Sequence, residues 1–116
     1  MPWSPAVWLL LIVTPVLVSV GQVLFKFVGL RWSPERGLLA LALDPLFLLS
    51  MAIYAAATLS WISVLRVVPL GLAYTFTAMG FVIVPALSMM LFGEGLGLRY
   101  LFGLTLIVLG LLVIHA

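Results

Sequence analysis

Four apolar stretches, each about as long as a membrane crossing, take up most of this chain, and charges are nearly confined to the short joints between them. A crossing needs roughly 20 residues at ~1.5 Å rise to cover ~30 Å of hydrocarbon. Composition agrees: hydrophobic residues make up 66% of the 116, charged residues 7%, and the mean hydropathy is +1.43. A water-soluble domain of this size could not cover so much apolar surface with so few charges. The expected fold is therefore an all-α membrane protein with four transmembrane helices, built as one domain over residues 1–116.

Several function classes drop out on composition. No soluble portion is large enough to house an enzyme, so none is expected, and no cofactor. The chain has no cysteine, which excludes disulfides, Cys-ligated metals and thiol nucleophiles. His115, the single histidine, has no partner at metal-ligand spacing and reads as a helix end at the interface. A net charge of +2 drawn from very few ionised groups does not indicate a nucleic-acid partner. The first apolar run reads as a retained helix and not a signal peptide. Met1 to Trp8 carries no lysine or arginine, and the run continues through Lys26 without an A-x-A-like site.

The first span is expected over Ala6–Gly29, with Pro2 and Pro5 before it, Pro15 kinking it, and Trp3 and Trp8 in an aromatic belt. The joint Leu30–Pro45 contains Arg31, Trp32, Pro34, Glu35, Arg36 and Asp44; its apolar centre, Gly37–Leu43, is too short to cross and should extend the second span or lie at the interface. The second span runs over Leu46–Leu65 and is closed by Arg66 and Pro69. The third runs over Gly71–Phe92 and is interrupted by Pro85. Gly93, Gly95 and Gly97 form a tight turn around Glu94, and the fourth span covers Leu98–His115. Joints this short make successive helices antiparallel neighbours. Lys26, Arg31, Arg36 and Arg99 then share one side, with Arg66 alone on the other, so the positive-inside rule puts the first and third joints in the cytoplasm and both termini outside. Glu94 and Arg99, on one side, could pair.

The first span carries Ser19, Gln22 and Lys26 on one face, at offsets of three and seven. An unpaired amide or ammonium is costly in lipid, so that face should meet a cavity or a partner helix. A snorkelling Lys26 is the plain alternative, but Gln22 lies deeper and needs a partner regardless, which favours a polar cleft open at one end. The second span carries Ser50, Tyr54, Thr58 and Trp61 as a stripe, with Ser60 and Ser63 to one side. Such hydroxyls often bond their own backbone, and the aromatics could bracket a sugar or a lipid chain or simply pack. In the third span, Tyr74, Thr75 and Thr77 stand among small residues, and Gly80 and Pro85 allow a bend. In the fourth, Gly103 and Gly110, seven apart, share a face suited to helix–helix contact in a dimer.

These segments resemble a known family. Gly21-Gln22-Val23-Leu24-Phe25-Lys26, Val68-Pro69-Leu70-Gly71-Leu72-Ala73-Tyr74 and Gly103-Leu104-Thr105-Leu106-Ile107-Val108-Leu109-Gly110 look like the small multidrug resistance family, as do the length and the four spans. The drug exporters of that family carry a glutamate three residues before the motif glycine and a tryptophan three beyond the third-span tyrosine; Val18 and Thr77 stand at those positions here. Gly21-Gln22 leading to Lys26, with Leu91-Phe92-Gly93-Glu94, is closer to the branch of paired small subunits that flip undecaprenyl-phosphate-aminoarabinose in bacteria. The resemblance implies a multi-pass protein of the bacterial inner membrane that translocates a polyprenyl-phosphate-linked sugar, as a homodimer or with a similar small subunit. An anionic head group suits a cationic site, and Lys26 and Arg66 are available for it. The substrate-binding residues expected are Lys26, Gln22, Ser19, Tyr54, Trp61, Tyr74 and Arg66. A cation or drug exporter with an altered coupling site, and a structural membrane subunit with no transport path, are the rival expectations.

Overall fold

Two of the spans, the first and the second, begin where a capping side chain accepts from a backbone N–H of the first helical turn. The computed structural model describes residues 3–116; Pro2, expected to precede the first helix, lies outside them. Helix α1 spans Pro5–Arg31, with Ser4 capping it by accepting from the Val7 N–H at 3.4 Å and Pro5 in the first turn. Its 27 residues extend about 40 Å, longer than the hydrocarbon layer, so the cationic end reaches an interface. The helix runs through Pro15 without interruption.

The joint is more structured than expected. A 3₁₀ turn, Pro34–Arg36, leads into a short separate helix, α2 (Gly37–Ala42). Helix α2 does not extend the second span, because the chain breaks at Asp44 and restarts. Asp44 caps α3 (Pro45–Leu65) by accepting from the Leu46 N–H at 2.8 Å. The same carboxylate is gripped by Arg31 through two guanidinium nitrogens, one at 3.0 Å. The Trp32 indole N–H donates to the Gly37 carbonyl at 2.9 Å, where the backbone takes a positive φ of 83° that favours glycine.

The third span, Leu70–Phe92, is made of α4 (Leu70–Phe76), a 3₁₀ turn (Thr77–Met79) and α5 (Gly80–Phe92). The interruption falls upstream of Pro85, which sits inside α5. Thr75 and Thr77 donate to the carbonyls three residues back, Leu72 and Tyr74, each at 2.6 Å, which tightens the chain just before Gly80. Helix α6 covers Leu98–Ile114. By length and composition α1, α3 and the third span can cross a membrane, and α6 is a shorter apolar helix.

Successive spans alternate in direction. At one end Trp8 packs at a tilt against Trp3 (5.0 Å between ring centroids) and edge-on against Phe76, which also meets His115. At the other end Phe25 meets Phe47, and Phe27 meets Phe92 at 4.8 Å. The molecule measures 50 × 37 × 19 Å, and the last dimension is about two helix diameters. The tightest pairing is α1 with α3. Thr14, Gly21 and Val28 on α1 are buried at seven-residue spacing, and so are Ser50, Ala57 and Val64 on α3. Such a repeat keeps a seam of mostly small residues facing the partner along the length of both helices. Helix α6 has no buried residue.

Candidate functional site: a cavity between the spans

A cavity of about 540 Å³ opens between α1, α3, the third span and the start of α6. Gly21 lets α3 come close to α1 beside it. A Cβ on Gly21 would stand 2.9 Å from Cδ2 of Tyr54, closer than side chains normally approach. Tyr54 lies against that glycine, stacks on Phe25 at 5.1 Å, accepts from Gln22 Nε2 at 2.7 Å and points its hydroxyl toward the Val18 carbonyl at 3.5 Å.

Five of the residues expected at the site line this cavity: Ser19, Gln22, Tyr54, Trp61 and Tyr74. Ser19 is buried and donates to the Pro15 carbonyl at 2.7 Å. Its role here is to satisfy its own helix, with Gly80 close by across the gap. Gln22 and Tyr54 form a cross-helix pair, so the amide has the partner that its depth demands. Thr58 and Thr77 add hydroxyls to the wall, both already donating to backbone carbonyls. Much of the rest is apolar, including Val18, Ala57, Phe81, Val84 and Pro85.

Two expected residues stand outside the lining. Lys26 lies one turn beyond Gln22 on the same face of α1, and its Nζ is 3.8 Å from Glu94 Oε2. The expected pairing of Glu94 with Arg99 is replaced by this one. α1 and α5 end on the same side, and the turn at Gly93, with φ of 64°, carries Glu94 back over α1. Arg66 is exposed at the opposite end, after α3. Gly103 and Gly110 have nothing within 4 Å of where a Cβ would be, so their face of α6 is open in one chain.

Sequence reasoning missed Thr14 and Tyr100, which also line the cavity. The Thr14 and Ser60 hydroxyls lie 2.6 Å apart. Thr14 donates to the Leu10 carbonyl at 2.8 Å, so Ser60 supplies the proton between them. The signal for Thr14 was its seven-residue offset from Gly21. Tyr100 is the single tyrosine of a helix that otherwise reads as lipid-facing, and an interfacial position explained it equally well. Among the described residues no group of His, Cys, Asp or Glu could hold a metal, and the cavity lining contains no carboxylate.

The chain is similar to several described proteins over most of its length. A protein of Pseudomonas aeruginosa (strain LESB58), described as a probable 4-amino-4-deoxy-L-arabinose-phosphoundecaprenol flippase subunit ArnF, is 32% identical over 126 aligned positions, covering 94% of this chain and 84% of that one. The ArnF-described protein of Sodalis glossinidius (strain morsitans) is 35% identical, covering 84% and 82%. A protein of Serratia proteamaculans (strain 568), described as the probable ArnE subunit of the same flippase, is 35% identical, covering 91% and 92%. No family model matches the chain, and no solved structure does.

Proposed function

The chain belongs to the family of 4-amino-4-deoxy-L-arabinose-phosphoundecaprenol flippase subunits, and on that premise we propose that it moves a polyprenyl-phosphate-linked sugar across the bacterial inner membrane. The observation that carries this reading is an uncharged cavity with a cation just beyond it. Gln22, Tyr54, Thr58 and Thr77 give it a polar file without an ionised group, and Lys26 follows one turn on. A phosphate wants such a cation, and Lys26 continues the polar face of α1 that lines the cavity, whereas the nearby carboxylate, Glu94, stands after α5 and outside the lining.

The division of labour follows from the chemistry. The prenyl tail stays in lipid. The phosphate is held by Lys26, assisted by Gln22, while Tyr54, Trp61 and Tyr74 flank the sugar. Ser19 keeps its wall of α1 smooth by bonding backward. Arg66, at the far end, receives the phosphate after passage. No bond is made or broken. A slab two helices thick cannot surround a head group, so the working unit is a dimer, of two copies or of this chain with a similar small subunit, with Gly103 and Gly110 in the contact. The first and third joints face the cytoplasm.

Lys26→Ala tests the assignment. A charge-assisted contact to phosphate is worth about 1.5–3 kcal/mol, so losing it should weaken binding of undecaprenyl phosphate roughly ten- to hundredfold. Lys26→Arg should retain most of it. Parental binding and flipping by a normally inserted Lys26→Ala protein in reconstituted vesicles would show that the lysine only anchors the helix at the interface.

A further inference from the structure

Lys26 is already occupied. Its ammonium faces Glu94 at 3.8 Å, and Glu94 is in turn held by Ser88, whose hydroxyl donates to Oε1 at 2.7 Å. The Glu94 backbone N–H also points back to the Ser88 carbonyl at 3.5 Å. The acid is thus tied by backbone and side chain to the end of α5, while the cation belongs to α1. Phe27 and Phe92 meet beside them, making this a contact between the first and third spans next to the cavity.

We propose that Glu94 is an internal stand-in for the substrate phosphate: it neutralises Lys26 in the empty protein, and an arriving phosphate exchanges with it and frees the end of the third span. The proposal rests on the assignment of Lys26 as the phosphate-binding residue. Both partners are nearly half exposed, at 48% and 43%, and a pair at this distance lacks the short contact of a charge-assisted hydrogen bond. Exposed pairs of this kind contribute little, so a phosphate ester displaces the carboxylate easily. A carboxylate at the C-terminal end of a helix also opposes the helix dipole, which leaves Glu94 with little reason to stay once Lys26 is taken. Ser88 and the left-handed Gly93 keep the displaced acid near, ready to return when the phosphate leaves. Release of substrate is then assisted by the protein's own anion.

The test measures undecaprenyl phosphate binding to the full chain in lipid nanodiscs. Glu94→Gln removes the competing charge while preserving the hydrogen-bonding shape. It should bind the probe roughly two- to fivefold more tightly, the range that a weak exposed pair allows. That gain should shrink or vanish in a Lys26→Ala background, because the competition is for Lys26. Spin labels at Leu30 and Met90, both exposed, supply a second readout. The distance between them should change on adding probe to the parental protein, and Glu94→Gln without probe should already show the changed distribution. Unchanged or weaker binding by Glu94→Gln, with Lys26→Ala still impaired, overturns the exchange and leaves Lys26 as the phosphate ligand. Parental binding by both variants overturns the Lys26 assignment itself. A label distance that ignores both probe and substitution overturns the release of the third span.

Discussion

The α1–α3 seam and the α6 surface are both made of apolar helix with glycine at intervals, yet they do opposite things. In the seam, Gly21 sits under the Tyr54 ring with no room for a methyl group, and Ser50, Ala57 and Val64 are buried. On α6, Gly103 and Gly110 face open space, and Leu106, Leu109, Leu112 and Val113 are exposed. In lipid there is no hydrophobic drive between helices, so association depends on close packing and polar bonds. The seam has both. Helix α6 is only half-buried where it meets the bundle, at Leu104, Val108 and Leu111, while Tyr100 lines the cavity and His115 lies 2.7 Å from the Thr75 hydroxyl. A glycine thus tells of packing only when something packs on it.

The sharpest way to break the comparison is to put the same side chain at both kinds of glycine. Gly21→Val drives a branched side chain into a ring already pinned by Phe25 and Gln22. Overpacking of this sort costs about 1–3 kcal/mol, and unfolding measured by steric trapping in bicelles should show it. Gly110→Val should leave the stability of the single chain within about 0.5 kcal/mol, as for an uncrowded surface site. The proposed dimer should suffer instead, seen as a lower yield of crosslinked pairs in lipid. Equal losses of chain stability at both glycines would mean that α6 packs on its own bundle in the membrane.

A smaller effect is expected from the polar bonds. Thr14→Val removes the Thr14–Ser60 hydrogen bond and should cost about 0.6 kcal/mol, with ~1.7 as an upper bound for such bonds in membranes. A double-mutant cycle with Ser60→Ala isolates the pair. Thr105→Val on α6 is the control, since its hydroxyl bonds only its own backbone, at the Leu101 carbonyl, and no coupling to another helix should appear.

The smallest effect concerns the joint. Arg31's hydrogen bond, ahead of the other influences, holds the Asp44 carboxyl below the usual carboxylate range. Because the folded value is depressed, the linked stability is present above the unfolded value and is lost as pH falls through the folded one. Acid titration of thermal stability should therefore show a loss below the normal aspartate range, and Asp44→Asn should flatten it. A profile identical to the parent's would place the acid sensitivity elsewhere. Arg31 is half exposed and the Asp44 side chain is largely covered, so added salt should blunt the contact less than it blunts a fully exposed pair.

The residues that form the site were legible to different degrees. Ser19, Gln22 and Lys26 were placed on one face by helical period, and the structure sets Ser19 and Gln22 in the cavity wall with Lys26 one turn beyond. Tyr54, Trp61 and Tyr74 also line it. Arg66 stands apart because α3 ends on the opposite side from the end of α1. The pairing of Glu94 was misjudged because sequence adjacency favoured Arg99, whereas the turn at Gly93 returns the acid to α1. An interruption was expected at Pro85 and a bend at Gly80 or Pro85; the break occurs at the threonines just before Gly80, whose hydroxyls compete for the backbone three residues back.

The number of spans, their order, their alternation and most of their ends were determined by the sequence alone. Those depend on local quantities: apolar length, proline and aspartate at helix starts, glycine at a turn, and the satisfaction of backbone groups within each segment. Only the tertiary structure decided that Gln22 meets Tyr54, that Lys26 meets Glu94 and that α6 stands off from the seam. Each of these depends on how far a helix is rotated about its axis against its neighbour, and that rotation is set by a non-local fit such as Gly21 beneath Tyr54. A seven-residue spacing marks a possible seam, but the partner that fills it comes from another part of the chain.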